Sequence, residues 1–238
     1  MRLDRMLSNL NYGSRKEVKK IIKDGLVTIN DKVSLDDSYN VKSNDVVKID
    51  GQEVYYNDNL TMVINKPQGY ICSNIDEDYP SILNLIEEKY RRLNLNVAGR
   101  LDQDTTGLVI LSNNGELIHH IISPKHNIQK VYEVLLENKL SNQQLILLKS
   151  PMLLQDGKGE TYLAKALAVN VLEENKVLLT IDEGKYHQVK KMVEHIGNNV
   201  VGLKRIQIGD LKLDSLKEKE YRILSEEDIL KLRWTLTN

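Results

Sequence analysis

The chain has no phenylalanine, one tryptophan, one cysteine and four prolines in 238 residues. The lone thiol, Cys72, excludes an internal disulfide framework and suits a reducing cytosol. Eleven tyrosines must supply most of the aromatic packing, along with any stacking on a nucleobase. No apolar run approaches the ~20 residues of a membrane-spanning helix, so no membrane association is expected. No apolar segment follows the opening Met-Arg-Leu-Asp-Arg, so no secretory leader is expected either, and the expected compartment is the cytoplasm. Neither sign of charge prevails, the formal net charge being −1. Nucleic-acid binding must therefore come from local clusters of Lys and Arg. Internal repeats and low-complexity segments are absent. What is present is an ordinary globular composition, 41% hydrophobic and 28% charged. The length allows one large domain or two smaller ones with a real core.

Residues 1–57 read as a small module with one basic face. Leu3, Met6, Leu7 and Leu10 have helical spacing, and Tyr12-Gly13 ends that helix. Ser14 and Glu17 form a capping box, Val18, Ile21 and Ile22 line one face, and Gly25 supplies a left-handed end. Arg15, Lys16, Lys19, Lys20 and Lys23 fall largely on the other face, with Arg2 and Arg5 nearby. A charged helix face is usually just solvated. Here, however, the basic residues crowd the first 25 positions, while acids dominate Asp36 to Glu53. Leu26–Ile29 and Val46–Ile49 read as strands, with turns at Asn30-Asp31 and Asp50-Gly51. Tyr56–Asn59 is a polar linker.

Residues 58–238 read as a second domain. Leu60–Asn65 predicts a strand, Lys66-Pro67-Gln68-Gly69 a turn, and Ser81 the cap of a helix carrying Ile82, Leu85, Ile86 and Leu93. Leu108–Leu111 predicts a buried strand, and Asn113-Asn114-Gly115 reads as turn chemistry. Arg100, Asp102 and Asp104 crowd the polar loop before that strand. Alone, they read as an Asx turn or a surface salt bridge. Their attachment to a core strand is equally a way to hold a carboxylate rigidly. Glu116–Ile122 predicts a helix. Its His119-His120 pair makes a poor metal chelate, because adjacent helical residues diverge by about 100° at ~3.6 residues per turn, and no further ligands stand at metal spacing. Gln129–Val134 alternates like a half-buried strand, and by itself Tyr132 reads as core. Gln143–Leu148 predicts a helix and Lys165–Ile181 two strands. Val189, Met192, Val193 and Ile196 have the spacing of a core-facing helix. Lys185, Lys190 and Lys191 cluster at its N-terminus, where the helix dipole disfavours cations. A carboxylate or an RNA phosphate must compensate. Val200–Ile208 and Glu220–Ile223 predict strands, and Ser225–Asp228 resembles the capping box of a last helix.

Gly99-Arg100-Leu101-Asp102 with Asp104-Thr105-Thr106-Gly107-Leu108 resembles the catalytic motif of the RNA pseudouridine synthases of the RsuA/RluA superfamily. Lys66-Pro67-Gln68-Gly69, Lys130-Val131-Tyr132-Glu133-Val134 and Gly184-Lys185-Tyr186-His187-Gln188-Val189-Lys190 resemble its other motifs, in family order. The N-terminal module is similar to the S4 RNA-binding domain. The resemblance implies an α+β fold, with a small S4 module and a catalytic domain built on a mixed, mainly antiparallel sheet flanked by helices. It implies that Asp102 is the catalytic carboxylate, that Tyr132 packs against the target base, and that Lys190 pairs with Asp102. RNA contacts would come from Arg2, Arg5, Arg15, Lys16 and Lys19, with Arg100, Lys125 and Lys185 beside the site. The reaction would turn a uridine into pseudouridine without metal or cofactor, on a base taken out of its stack. Tyr186–Met192 resembles the branch that acts on small-subunit 16S rRNA, so the expected partner is that RNA or its precursor particle, met by a monomer. Alternatives are a synthase acting on 23S rRNA or tRNA, a non-catalytic rRNA-binding assembly factor, and a glycosidic hydrolase. The last normally needs a second, paired acid.

Overall fold

The computed structural model describes residues 1–234, which form two compact units. One comprises Met1–Leu60 with Ile86–Leu95, the other Thr61–Leu85 with the described residues from Asn96 onward. The first unit contains helices α1 (Leu3–Asn9) and α2 (Arg15–Lys23). Strands β1 (Val27–Ile29), β2 (Lys32–Val33), β3 (Val47–Ile49) and β4 (Gln52–Glu53) form an antiparallel sheet in the order β2-β1-β3-β4. A short helix α3 (Glu88–Arg91) belongs to the same unit. Leu3, Met6 and Leu7 of α1 and Val18 and Ile22 of α2 are buried. The capping box forms as its residues predict: Ser14 accepts from the Glu17 amide, and the Glu17 side chain accepts from the Ser14 amide at 2.8 Å. Both strand turns place two successive residues at positive φ, Asn30-Asp31 and Asp50-Gly51, which matches the twist of a tight hairpin.

The second unit is built on β5 (Thr61–Lys66), β6 (Asn96–Ala98), β7 (Thr106–Ser112), β8 (Lys130–Leu136), β9 (Met152–Gln155), β10 (Thr161–Ala164), β11 (Ala168–Glu173), β12 (Lys176–Ile181), β13 (Val200–Ile208), β14 (Leu211–Lys212) and β15 (Tyr221–Ile223). Its helices are α4 (Gly115–Ile122), α5 (Asn142–Lys149), α6 (Gln188–His195) and α7 (Glu226–Lys231). The main sheet runs β11-β12-β8-β13-β7-β5-β15, with β14 on β13 and β6 on β7. Its one parallel pairing is β13 with β7. This is the mixed, mainly antiparallel sheet of the expected α+β fold. β9 and β10 form a separate hairpin. The core gathers Val63, Leu108, Ile110, Leu117, Ile121, Ile208 and Leu211. Because β13 lies between β7 and β8, Arg205 stands opposite Gly107 on one side and Tyr132 on the other.

The structure corrects three local expectations. The helix expected after Ser81 is a 3-10 turn, Ile82–Leu85, then an extended Glu87 (ψ 147°), then the short α3. The start of this segment is committed to a bridge instead: the Ile82 amide donates to Ile71 O at 2.9 Å, and Ser81 Oγ to Ser73 O. Asn113-Asn114-Gly115 is not a positive-φ turn. Asn114 is the N-cap of α4 and accepts from the Leu117 amide at 3.0 Å, with Gly115 already helical. The strand β6 and the β9–β10 hairpin were not anticipated. Their alternation is blurred by exposed leucines, Leu153 facing Leu163 across the hairpin. No helix among the described residues is long and apolar enough to cross a membrane.

Candidate active site

The loop from Gly99 to Thr105 leads into β7 and is pinned at almost every second residue. Buried Lys66, at the end of β5, donates to the carbonyls of Pro67, Gln103 and Thr105 at 3.1, 3.3 and 2.8 Å. Buried Arg205 donates to Gly99 O at 2.6 Å and Leu108 O at 2.8 Å, clasping both ends. The Cys72 sulfur accepts from the Leu101 amide at 3.3 Å, and the Asp102 carbonyl from the Thr105 amide at 3.1 Å. Gly107 is small of necessity: a Cβ there would sit 2.2 Å from the Arg205 carbonyl oxygen. The outcome is a loop whose backbone is fixed while the Asp102 carboxylate stays partly open to solvent.

That carboxylate meets the start of α6. Lys190 Nζ lies 2.9 Å from Asp102 Oδ2 and 2.7 Å from Asp104 Oδ1, so one ammonium bridges both acids. His187 Nε2 lies 3.3 Å from Asp102 Oδ1. His187 is the N-cap of α6 in the left-handed region (φ 54°), which turns its ring toward the loop. Tyr186 stacks on that ring at 3.8 Å. Partial burial by itself would raise the Asp104 carboxyl, but the Lys190 ammonium outweighs it and holds the group below its ordinary value. Burial likewise opposes the charge on Lys190, and its bonds to Asp104 and Asp102 outweigh that and raise it. Of the unfavourable cations at this helix start, Lys190 thus has its anion in the two carboxylates, whereas Lys191 donates to a neutral acceptor, the Gln155 carbonyl, at 2.6 Å.

A cleft of about 680 Å³ opens beside these groups. Asp102, Lys190, Tyr132, Arg100 and Lys185 all line it, so the sequence-predicted residues of this unit converge, except Lys125, which is exposed and outside the lining. Tyr132 is 7% exposed. Lys185 lies over the Tyr162 ring, 5.4 Å from its centroid. In the first unit, Arg5, Arg15 and Lys16 are exposed, with no ion pair among the described residues. Arg2 and Lys19 are partly committed: Arg2 binds Asp4 through two bonds of 3.0 Å, and Lys19 lies 3.2 Å from Asp37. The sequence reasoning missed Arg205, Lys130 and His187 as cleft residues. For Lys130 the available signal was a charged side chain in phase with Tyr132, Val134 and Leu136 on one strand. Among the described residues, no group of three His, Cys, Asp or Glu could hold a metal ion.

A carboxylate fixed by cations at the mouth of an aromatic-lined cleft is equipment for chemistry on a bound sugar or base, and defines the class as an enzyme. Comparison with known proteins narrows it. Residues 60–195 match the family described as RNA pseudouridylate synthase, and residues 1–47 match the S4 domain. A protein of Haemophilus influenzae named ribosomal small subunit pseudouridine synthase A is 40% identical over 242 residues, covering 98% of this chain and 99% of the relative. An uncharacterized RNA pseudouridine synthase of Bacillus subtilis is 39% identical over 232 residues, covering 96% and 97%. A crystal structure of a pseudouridylate synthase superimposes with a TM-score of 0.68 at 37% identity, over 98% of this chain and 99% of the other. The chain belongs to the RNA pseudouridine synthase family, in the RsuA-type branch that carries an N-terminal S4 domain. It is an isomerase acting on RNA.

Proposed function

We propose that this enzyme converts a specific uridine of small-subunit 16S rRNA into pseudouridine, with Asp102 as the catalytic carboxylate. The observation that carries the reading is the Lys190–Asp102 pair, 2.9 Å apart at the cleft mouth, in a chain whose relatives include enzymes named for the small ribosomal subunit. The C1′–N1 bond breaks, the uracil turns, and C1′ rejoins through C5. Atoms and electrons balance within the nucleotide. Asp102 acts ionised, on the sugar carbon or on a sugar proton, and Lys190 favours its charged form. Tyr132 packs against the flipped base, a stacking worth about 1–3 kcal/mol. Arg100, Lys125 and Lys185 meet the strand next to the site. Residues 1–57 act as the RNA-binding domain, through Arg2, Arg5, Arg15, Lys16 and Lys19, and residues 58–238 as the catalytic domain. Phosphate contacts from the first domain position the RNA without reading its sequence. The enzyme works as a monomer in the cytoplasm, on 16S rRNA or its precursor particle.

The test is pseudouridine mapping by carbodiimide treatment and primer extension on rRNA from cells with and without the protein. Loss of one 16S signal, restored by the wild type but not by Asp102→Asn, is the expected result. A missing 23S signal keeps the reaction and overturns the substrate. Restoration by Asp102→Asn overturns the catalytic role of that carboxylate.

A further inference from the structure

Two buried cations line the cleft among the described residues, and they differ in how well the protein holds them. Arg205 spends its guanidinium on the carbonyls of Gly99 and Leu108. Lys130 is 6% exposed, and its ammonium has a single hydrogen bond among the described residues, to Ile121 O at the outer limit of 3.4 Å. An ammonium carries three donors. The neighbourhood offers little else: across the sheet Lys130 faces Ile181 on β12 and Ile208 on β13. The charged groups that act on it are Arg205 from β13 and Asp182 and Glu183 from the end of β12. Burial dominates, aided by Arg205, and pushes the ammonium down to about 8, with the two acids opposing. A poorly satisfied buried cation is costly to keep, and a ligand in the cleft would fill the donors that the protein leaves open.

The position identifies the ligand. Lys130 and Tyr132 are two residues apart on β8, hence on one face of the sheet, and both line the cleft. Phosphates continue into the chain on both sides and stay at the rim, where exposed Arg100 and Lys185 stand. A flipped base hangs by one bond and alone reaches a buried apolar floor. Uracil presents two carbonyl acceptors, O2 and O4.

We infer that Lys130 donates a hydrogen bond to a carbonyl oxygen of the flipped uracil and stabilises the negative charge that reaches this oxygen as the glycosidic bond breaks. The inference rests on the proposed chemistry at Asp102. The C1′–N1 electron pair moves onto N1 and is shared with O2 and O4. When C1′ bonds to C5, the C5 proton leaves and N1 takes up a proton, so no external reagent is required. Lys130 is on this reading a further catalytic residue, placed to act on the leaving base while Asp102 acts on the sugar.

The experiment is an atom-substitution cycle under single-turnover conditions. A 16S rRNA fragment carries uridine, 2-thiouridine or 4-thiouridine at the mapped position, sulfur being the weaker acceptor. Wild type, Lys130→Met and Lys130→Gln are compared, the second variant serving if the first fails to fold. The expected result is a 10- to 100-fold lower rate for Lys130→Met on uridine RNA, the worth of a charge-assisted hydrogen bond, with RNA affinity unchanged. One thio substitution should slow the wild type at least tenfold more than it slows the variant. The melting temperature of Lys130→Met should equal or exceed the wild type, since an apolar side chain of similar shape removes a buried charge; a purely structural role requires it to fall. Equal thio effects in wild type and variant overturn the inference. An inactive Asp102→Asn beside a fully active Lys130→Met overturns it alone, whereas an active Asp102→Asn overturns the proposed chemistry itself.

Discussion

Lys190 Nζ stands 2.9 Å from Asp102 Oδ2, a contact between side chains 88 positions apart in the chain. The same nitrogen binds Asp104 at 2.7 Å, so removing it strands two acids rather than one. Lys190→Met should lower kcat by about 10²–10³-fold, as loss of a preorganised charge partner does. Lys190→Arg, which can still bridge two carboxylates, should stay within about tenfold of wild type. The Asp104 carboxyl should move up toward its ordinary value in Lys190→Met, read by carboxyl NMR. An unmoved Asp104 together with unchanged kcat would remove Lys190 from the site.

Backbone fit at the loop exit gives a second prediction. Gly107 has φ +105° and no room for a Cβ, which would lie 2.2 Å from Arg205 O and 2.8 Å from its N. Gly69 has φ +82° but nothing within 4 Å. Gly69→Ala therefore meets only the left-handed strain, about 1–2 kcal/mol. Gly107→Ala must in addition push β7 away from β13, and should cost more than about 4 kcal/mol or prevent folding. Thermal melts of the two variants decide it, and similar losses in both would contradict the close packing of the two strands.

The parts that were legible in the sequence are those where local rules and tertiary structure agree. Ser14, Ser141 and Ser225 each cap a helix with the residue three positions on, and all three capping boxes form; those at Ser14 and Ser225 are the two that the sequence analysis predicts. Leu108–Leu111 is buried because it is continuously apolar. The wrong-way cations of α6 announced an anion without identifying it, and the family resemblance supplied Asp102. What stayed hidden depends on register. Arg205 is buried because β13 lies between β7 and β8, and no pattern around Val200–Ile208 announces that placement. Lys66 reads as an ordinary turn residue until three loop carbonyls close on it. The apolar residues from Ile82 to Leu93 have helical spacing, yet the Ile71–Ser81 bridge diverts the segment's start and Glu87 is extended.

The two classes of basic residue in the first unit should differ in salt dependence. Arg15 and Lys16 are exposed and without ion pairs among the described residues, whereas Lys19 is shared with Asp37 and Asp4. A cation already neutralised by the protein releases fewer counterions on meeting a phosphate. The double variant Arg15→Ala, Lys16→Ala should lower the slope of log K against log salt by roughly 1.4–1.8, about 0.7–0.9 per lost phosphate contact. Lys19→Ala should lower it by less than one such increment. Titrations of the RNA fragment between low and physiological salt measure both slopes. Equal slopes in wild type and double variant would take Arg15 and Lys16 off the RNA.

The C-terminal helix carries a pH-dependent element of stability. Asp228 caps α7 through Ser225 and receives hydrogen bonds from Arg222 and Lys231. The Arg222 hydrogen bond is the main cause that holds its carboxyl well below the ordinary carboxylate value, against the opposing effect of burial. A carboxyl depressed in the folded state stabilises the fold fully above its unfolded value of about 4. That contribution fades as pH falls from there through the lower folded value. Asp228→Asn loses the ion pair and weakens the cap, a loss of about 1–2 kcal/mol near neutrality, or roughly 2–8 °C in melting temperature for a chain this size. The difference between wild type and variant should be constant from pH 5 to 7 and shrink below about pH 4. Taking the difference cancels every other carboxylate common to both proteins, Asp104 included. A gap that held its full width into acid would show that Asp228 acts through its shape in the cap and not through its charge.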